Sequence, residues 1–157
     1  MIIFNIIMSD KIEPENYRLI FELVPDSCWC SNLRTLFPAE WDKIRRDAYA
    51  RAGGHCMICG REARRLEAHE RWVYDEENAV QRLTDVVALC HRCHEAVHIG
   101  RAQATGRGRE AEDWFMKVNG VNYAALRAAL GRANEDHRRR NQIAEWKLDL
   151  SWLKRYL

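Results

Sequence analysis

The chain has 157 residues, of which 47% are hydrophobic and 31% charged. That is the balance of one ordinary globular domain, and it excludes a collagen, a coiled-coil rod and a wholly disordered chain. Lys and Arg number 25 against 23 Asp and Glu, a net +2, but residues 1–42 hold three against seven (−4) and residues 43–157 hold 22 against 16 (+6). Twenty of the 25 basic residues are Arg. Its flat five-donor fork fits phosphate, so the asymmetry points as readily to a nucleic-acid partner as to a solvated surface.

Met1 to Met8, MIIFNIIM, falls far short of the ~20 apolar residues of a membrane span. It also has neither the basic start nor the small-residue cleavage site of a signal peptide. It reads as an edge strand or as a stretch ahead of a start at Met8, the second being preferred. The chain is therefore expected to be cytoplasmic and free of membrane, where thiols stay reduced and clustered cysteines point to metal.

Tyr17–Val24 has the composition of a strand, stopped by Pro25-Asp26. A helix is expected from Pro38, with Trp41, Ile44, Ala48 and Ala52 at helical spacing and Gly53-Gly54 as its end. Leu66–Tyr74 and Asp85–Leu89 read as two strands joined by a long polar connection containing Asp75-Glu76-Glu77-Asn78. A short helix fits His91–Ile99, stopped at Gly100. Residues 101–111 read as a Gly/Arg-rich loop carrying Arg101, Arg107 and Arg109. Trp114–Val118 is a short apolar element, turned by Asn119-Gly120. Asn122 starts a helix with Tyr123, Leu126 and Leu130 on one side, running into His137-Arg138-Arg139-Arg140. The tail from Ile143 carries Trp146, Leu148, Leu150, Trp152 and Leu153, too much apolar surface to leave in water, so it is expected to fold back. The expected class is α+β, with an N-terminal extension over 1–42, a core over 43–100 and a basic loop with a helical extension over 101–157.

Cys56-x-x-Cys59 and Cys90-x-x-Cys93 carry the strongest signal. Each turn presents two thiolates to one ion, and two turns complete the four soft ligands of a structural zinc. The 30 residues between the pairs leave room for a hairpin. Cys28 and Cys30 alternate, which suits one buried thiol and one facing a neighbour, ahead of a second metal site. His94 and His98 stand at i, i+4, so a helix puts both on one face, able to grip one ion. His69 lies on the first strand of the hairpin. Strand and helix histidines converging on one point would supply a divalent ion and a nearby base, the needs of phosphodiester hydrolysis. Taken singly, His69 reads as a hydrogen-bonded strand residue.

Three phrases, Cys56-Met57-Ile58-Cys59-Gly60, Leu66-Glu67-Ala68-His69-Glu70 and Leu89-Cys90-His91-Arg92-Cys93-His94-Glu95-Ala96-Val97-His98, resemble the HNH endonucleases of ββα-metal fold. The likeness covers about Cys56 to Gly100. The flanks Val24-Pro25, Cys28-Trp29-Cys30-Ser31-Asn32-Leu33-Arg34, Val118-Asn119-Gly120 and Trp146-Lys147-Leu148-Asp149-Leu150 are similar to a phage and bacterial subgroup. The resemblance implies a structural Zn2+ on Cys56, Cys59, Cys90 and Cys93. It also implies a separate catalytic ion (Mg2+, Mn2+, Ni2+ or Zn2+) on His94 and His98, and a hairpin and helix docked on the DNA minor groove at one scissile phosphate. Its candidate catalytic residues are His69, Glu70 and His94.

Two positions depart from the family pattern. Where the family pairs a ligand with a base, this chain reads Ala68-His69-Glu70: either His69 is the base and Ala68 stands in the ligand place, or His69 is a ligand and Glu70 the base, the Leu66-Glu67-Ala68-His69 phrase favouring the second. Asp85 occupies the place of the family's middle Asn, five residues before Cys90, and Asp accepts hydrogen bonds without donating them. Two readings follow. One is a metal-dependent endonuclease or nickase acting on double-stranded DNA, whose backbone is held by Arg101, Arg107, Arg109, Arg138, Arg139 and Arg140. The other is a catalytically degenerate zinc module that binds DNA or a protein, an inhibitor or assembly factor whose acidic N-terminal segment meets the partner.

Overall fold

The computed structural model describes residues 13–157, so the reading of Met1–Met8 lies outside them. Among the described residues the chain is mixed α+β, with six α-helices and a three-stranded sheet. No helix among them is long and apolar enough to cross a membrane.

Helix α1 (Leu33–Leu36) starts at Asn32, whose side chain accepts from Thr35 N at 3.0 Å. Helix α2 (Pro38–Ala52) follows at once, its rigid Pro in the first turn and Gly53 closing it at φ 57°, a left-handed cap. Ile44 and Ala48 are its buried positions. Strands β1 (Glu67–Asp75) and β2 (Val80–Leu89) pair antiparallel, with a bulge between Arg71 and Trp72. The expected long connection is thus a short turn over residues 76–79, tied by Asn78 N and Nδ2 donating to the Asp75 carboxylate at 3.1 and 2.8 Å. Polar Gln81 and Arg82 hide the start of β2 from a composition reading, although Gln81 is buried.

β2 is the central strand, and its end, Val86 to Leu89, is buried on both faces. Val87 and Leu89 join one core with α3 (His91–Val97), α4 (Ile99–Ala104), α5 (Gly108–Asn119) and α6 (Tyr123–Arg140). Leu83, Val86 and Ala88 join a second with α1, α2 and the C-terminal tail. The alternation of β2 therefore glues two helical layers to one hairpin. The tail does fold back: β3 (Lys147–Asp149) runs parallel to Val80–Arg82, and Leu153 beyond it is buried.

Four expectations change. Tyr17–Val24 makes no ladder. Arg18 N and Leu19 N donate to Asn119 Oδ1 at 2.9 and 3.1 Å, Asn119 Nδ2 donates to Leu19 O at 2.8 Å, and Glu22 N donates to Val97 O at 2.8 Å. A buried side chain thus satisfies the backbone in place of a strand. The helix expected over His91–Ile99 breaks at His98 (φ −87°, ψ 52°) and restarts as α4, with Gly100 inside it. The expected loop 101–111 is largely helical, because Ile99, Ala102 and Ala111 are core positions. Of the expected α6 stripe, Leu126 and Leu130 are buried but Tyr123 is 63% exposed.

Candidate functional site

The first knuckle forms a tight turn in which Gly60 N donates to Cys56 O and Cys56 N to Arg61 O, both at 2.8 Å, with Gly60 at φ 73°. Met57 N donates to Ala88 O at 3.0 Å, which brings the knuckle to the end of β2, where Cys90 and Cys93 enter α3. The sulfurs of Cys56, Cys59, Cys90 and Cys93 all lie within 4.8 Å of one another. Cys59 Sγ and Cys90 Sγ are 3.8 Å apart, close to the ~3.8 Å edge of a tetrahedron with ~2.3 Å zinc–sulfur bonds. The donor set therefore fits one structural zinc. Hydrogen bonds from Cys90 and Cys93 hold Cys56 far below the ordinary thiol range, and the same bonds push Cys90 and Cys93 up. Trp114 Nε1 donates to Cys93 Sγ at 3.2 Å, and Arg61, Arg92 and Lys117 stand 5.0–5.7 Å from its ring centre. Three cations thus gather at the ring of Trp114, whose N–H meets the Cys93 sulfur.

A second cluster lies on the adjoining face of the hairpin. β1 places His69 opposite Val87, on the side of α3. His94 of α3 and His98 at its broken end come to meet it. One nitrogen from each of the three rings lies within 4.8 Å of the others, and the His94 and His98 ring centres are 4.9 Å apart. The helix break does not separate the i, i+4 pair. His69 is 4% exposed. Burial pushes His98 down to about 3 and lowers His94 as well, helped by the neighbouring imidazoles. Both rings therefore stay neutral near pH 7 and keep lone pairs for a metal.

Carboxylates set the orientation of these rings. Glu67 Oε2 lies 2.5 Å from His94 Nδ1 and Glu67 Oε1 3.0 Å from His91 Nδ1. Burial tends to raise Glu67, but the hydrogen bonds from His91 and His94 outweigh it and hold the carboxyl below its usual range. An ionised Glu67 accepts a hydrogen bond from Nδ1–H of His94 and leaves the Nε2 lone pair free. Glu22 Oε2 lies 3.0 Å from His69 Nε2 and does the same there, leaving Nδ1 free. Glu22 escaped the sequence reading, because a strand over Tyr17–Val24 gives no reason to place its carboxylate beside β1. Trp114 and Asn119 escaped it too.

Glu70 is not brought to the cluster. One residue along β1 from His69, it faces the other layer, where Oε1 accepts from Leu33 N at 2.7 Å and Oε2 from Trp72 Nε1 at 3.1 Å. Burial raises its carboxyl above the ordinary range despite those bonds. Asp85 is also occupied elsewhere, bound to Arg51 of α2 at 3.0 Å. Cys28 is buried and Cys30 exposed, and neither belongs to a metal-ligand cluster among the described residues.

The candidate arginines scatter. Arg101 is exposed and close enough to His94 and His98 to help lower both. Arg107 pairs with Glu95 at 3.0 Å. Arg139 and Arg140 clamp Glu76 in the hairpin turn at 2.7 and 3.1 Å, and Arg140 also covers the Tyr74 ring. Arg109 lines a separate groove with Tyr123 and Met116, and Arg138 is exposed. Comparison with protein-family models, with curated proteins and with solved structures gives no match to this chain.

Proposed function

We propose that the chain is a metal-dependent nuclease of the HNH, ββα-metal kind, hydrolysing phosphodiester bonds of DNA at the three-histidine cluster. The observation that carries this reading is the convergence of His69, His94 and His98 on one point beside a four-cysteine cluster, on a hairpin followed directly by a helix. His94 and His98, both half-buried, would hold the ion. When bound, a divalent ion supplies positive charge to the phosphate and the leaving oxygen.

His69 acts as the general base. Its Nε2–H is held by Glu22, so Nδ1 takes the proton as water attacks phosphorus. The phosphorus–oxygen bond to one sugar breaks, and the Glu22 carboxylate steadies the imidazolium that forms. Glu70 has no part in the reaction, since it lies on the opposite face of β1 and caps α1. Structural zinc on the four cysteines fixes the knuckle against α3, and with it the ring of His94.

The test is plasmid cleavage by zinc-loaded protein with magnesium, manganese or nickel, alongside His69→Ala and His94→Ala. Cleavage that needs the ion and disappears in both variants, with the fold retained, is the expected result. A folded, zinc-loaded protein that cuts nothing with any ion refutes the nuclease. The non-catalytic zinc module then becomes the better reading.

A further inference from the structure

A cleft of about 1010 Å³ leads away from the three-histidine cluster, between α1 and α2 on one side and the connector after the first knuckle on the other. His94 lines one end; Arg34, Arg64 and Arg65 stand around it, and Trp41 and Tyr49 of α2 line its wall. None of the four expected contact arginines placed elsewhere (Arg107, Arg109, Arg139, Arg140) reaches it. Arg34, Arg64 and Arg65 are exposed and enter no ion pair among the described residues. Arg107, Arg139 and Arg140 are instead answered by Glu95 and Glu76. Asp42 also lines the cleft, but Arg45 and Arg46 bond its carboxylate. Arg45 in turn lies over the Tyr49 ring, 6.0 Å from its centre.

Unanswered guanidinium groups beside aromatic walls match an extended, polyanionic ligand with flat faces. The volume is already at the top of the roughly 300–1,000 Å³ of small-molecule pockets. Guanidinium forks take phosphate oxygens in pairs, and indole or phenol rings take base faces by stacking. A duplex keeps its base faces hidden in its own stack, whereas a single strand offers them. We propose that this cleft binds a single nucleic-acid strand, its phosphates on Arg34, Arg64 and Arg65 and its bases against Trp41 and Tyr49, and delivers that strand to the three-histidine cluster. The delivery step rests on the nuclease reading above; the binding step does not. It follows that the chain prefers strands that are already separated, or a splayed end or flap, over an intact duplex.

The experiment reads binding apart from cleavage. Zinc-loaded full-length protein carrying His69→Ala is titrated against a fluorescent oligonucleotide of about a dozen nucleotides, single-stranded or as duplex, over a series of salt concentrations. The double charge reversal Arg64→Glu/Arg65→Glu is expected to weaken single-strand binding at least tenfold. It is also expected to reduce the log–log salt slope by about 1.4, at ~0.7 per lost phosphate contact. Trp41→Leu, checked for fold by circular dichroism, is expected to lose about fivefold or more. The control Arg127→Glu/Arg132→Glu changes the same charge on α6, away from the cleft, and is expected to lose less than the cleft variant. Unchanged affinity in the cleft variant, or an equal loss in the control, overturns the proposal. Tighter binding of the duplex overturns the single-strand assignment. In the His69-containing protein, strand binding through these residues without any cleavage refutes the nuclease and leaves the cleft standing. Undiminished cleavage with Arg64→Glu/Arg65→Glu does the reverse.

Discussion

Replacing Asn119 by Ala removes three hydrogen bonds that hold the segment carrying Glu22. Asn119 is 3% exposed, and its side chain accepts from Arg18 N and Leu19 N while donating to Leu19 O. Arg18 is exposed, so its amide recovers a water. Leu19 is fully buried, so its N–H and C=O lose partners that water does not replace. Two buried backbone groups left unpaired cost about 1–3 kcal/mol each, and about 3 kcal/mol for the pair lies in the lower half of their sum. In a chain of this size that lowers Tm by roughly 6–12 °C. The assays are thermal unfolding with zinc in excess and hydrogen exchange at the amides of Leu19 and Glu22. Exchange is expected to speed up at both, because Glu22 N is tied to Val97 O through the same segment. Asn119→Asp keeps both acceptor bonds but sets a buried carboxylate oxygen against Leu19 O, so a loss at least as large is expected at neutral pH. If Asn119→Ala stays within about 0.5 kcal/mol of the parent and Leu19 remains protected, this side chain does not hold the segment.

Four further outcomes follow from the same geometry. Glu70→Gln is expected to keep cleavage within about twofold while losing about 1 kcal/mol of stability, since its amide N–H then meets Trp72 or the Leu33 amide; cleavage lost as fully as in His69→Ala would refute that separation of faces. Glu76 is held down to about 2 by hydrogen bonds from Arg139 and Arg140, below its usual 4.5, so its stabilising contribution is complete above pH 4.5 and is lost as pH falls towards 2. Urea unfolding across that window should show a shallower acid slope in Glu76→Gln, and coincident slopes count against the clamp. Chelation, or Cys93→Ser, is expected to remove zinc and unfold the knuckle and α3, with one zinc held by the four cysteines of the parent and thiolate-to-cobalt absorption appearing on cobalt exchange. Leu153→Ala is expected to cost about 2–5 kcal/mol, because the side chain is 1% exposed in the second core; a cost below 1 kcal/mol would show that the tail does not pack there in solution.

What could be read from the sequence, and what could not, divides by the range of the interactions involved. The knuckle pairs were legible because two cysteines with two residues between them, on a tight turn, point at one place. The α2 helix was legible from its proline start, its buried Ile44 and Ala48 and its glycine stop, all local signals. The convergence of His94 and His98 survived a wrong helix boundary, since four residues of near-helical chain suffice to bring the rings together. The failures lie where a distant group overrides local preference. Tyr17–Val24 has strand composition, but a side chain about 100 residues away takes the hydrogen bonds a neighbouring strand would have taken. Residues 101–111 look like a loop until Ile99, Ala102 and Ala111 find a core to enter. Glu70 was a reasonable base on paper because strand period alone does not say which of the two adjacent faces carries the histidines.

The position of Glu22 connects these strands of the molecule. His69 comes from β1, His94 and His98 from α3 and its broken end, and Glu22 from a segment without secondary structure. That segment is held at one point by Val97 O in α3 and at another by Asn119 at the end of α5. A hairpin and a helix alone would bring the three imidazoles together but leave His69 Nε2 with no carboxylate, and its proton free to sit on either nitrogen. The flanks therefore do more than thicken the core. Through Asn119, α5 helps to hold the segment whose Glu22 partners His69, so a change in the packing of α5 would reach the cluster without touching any histidine.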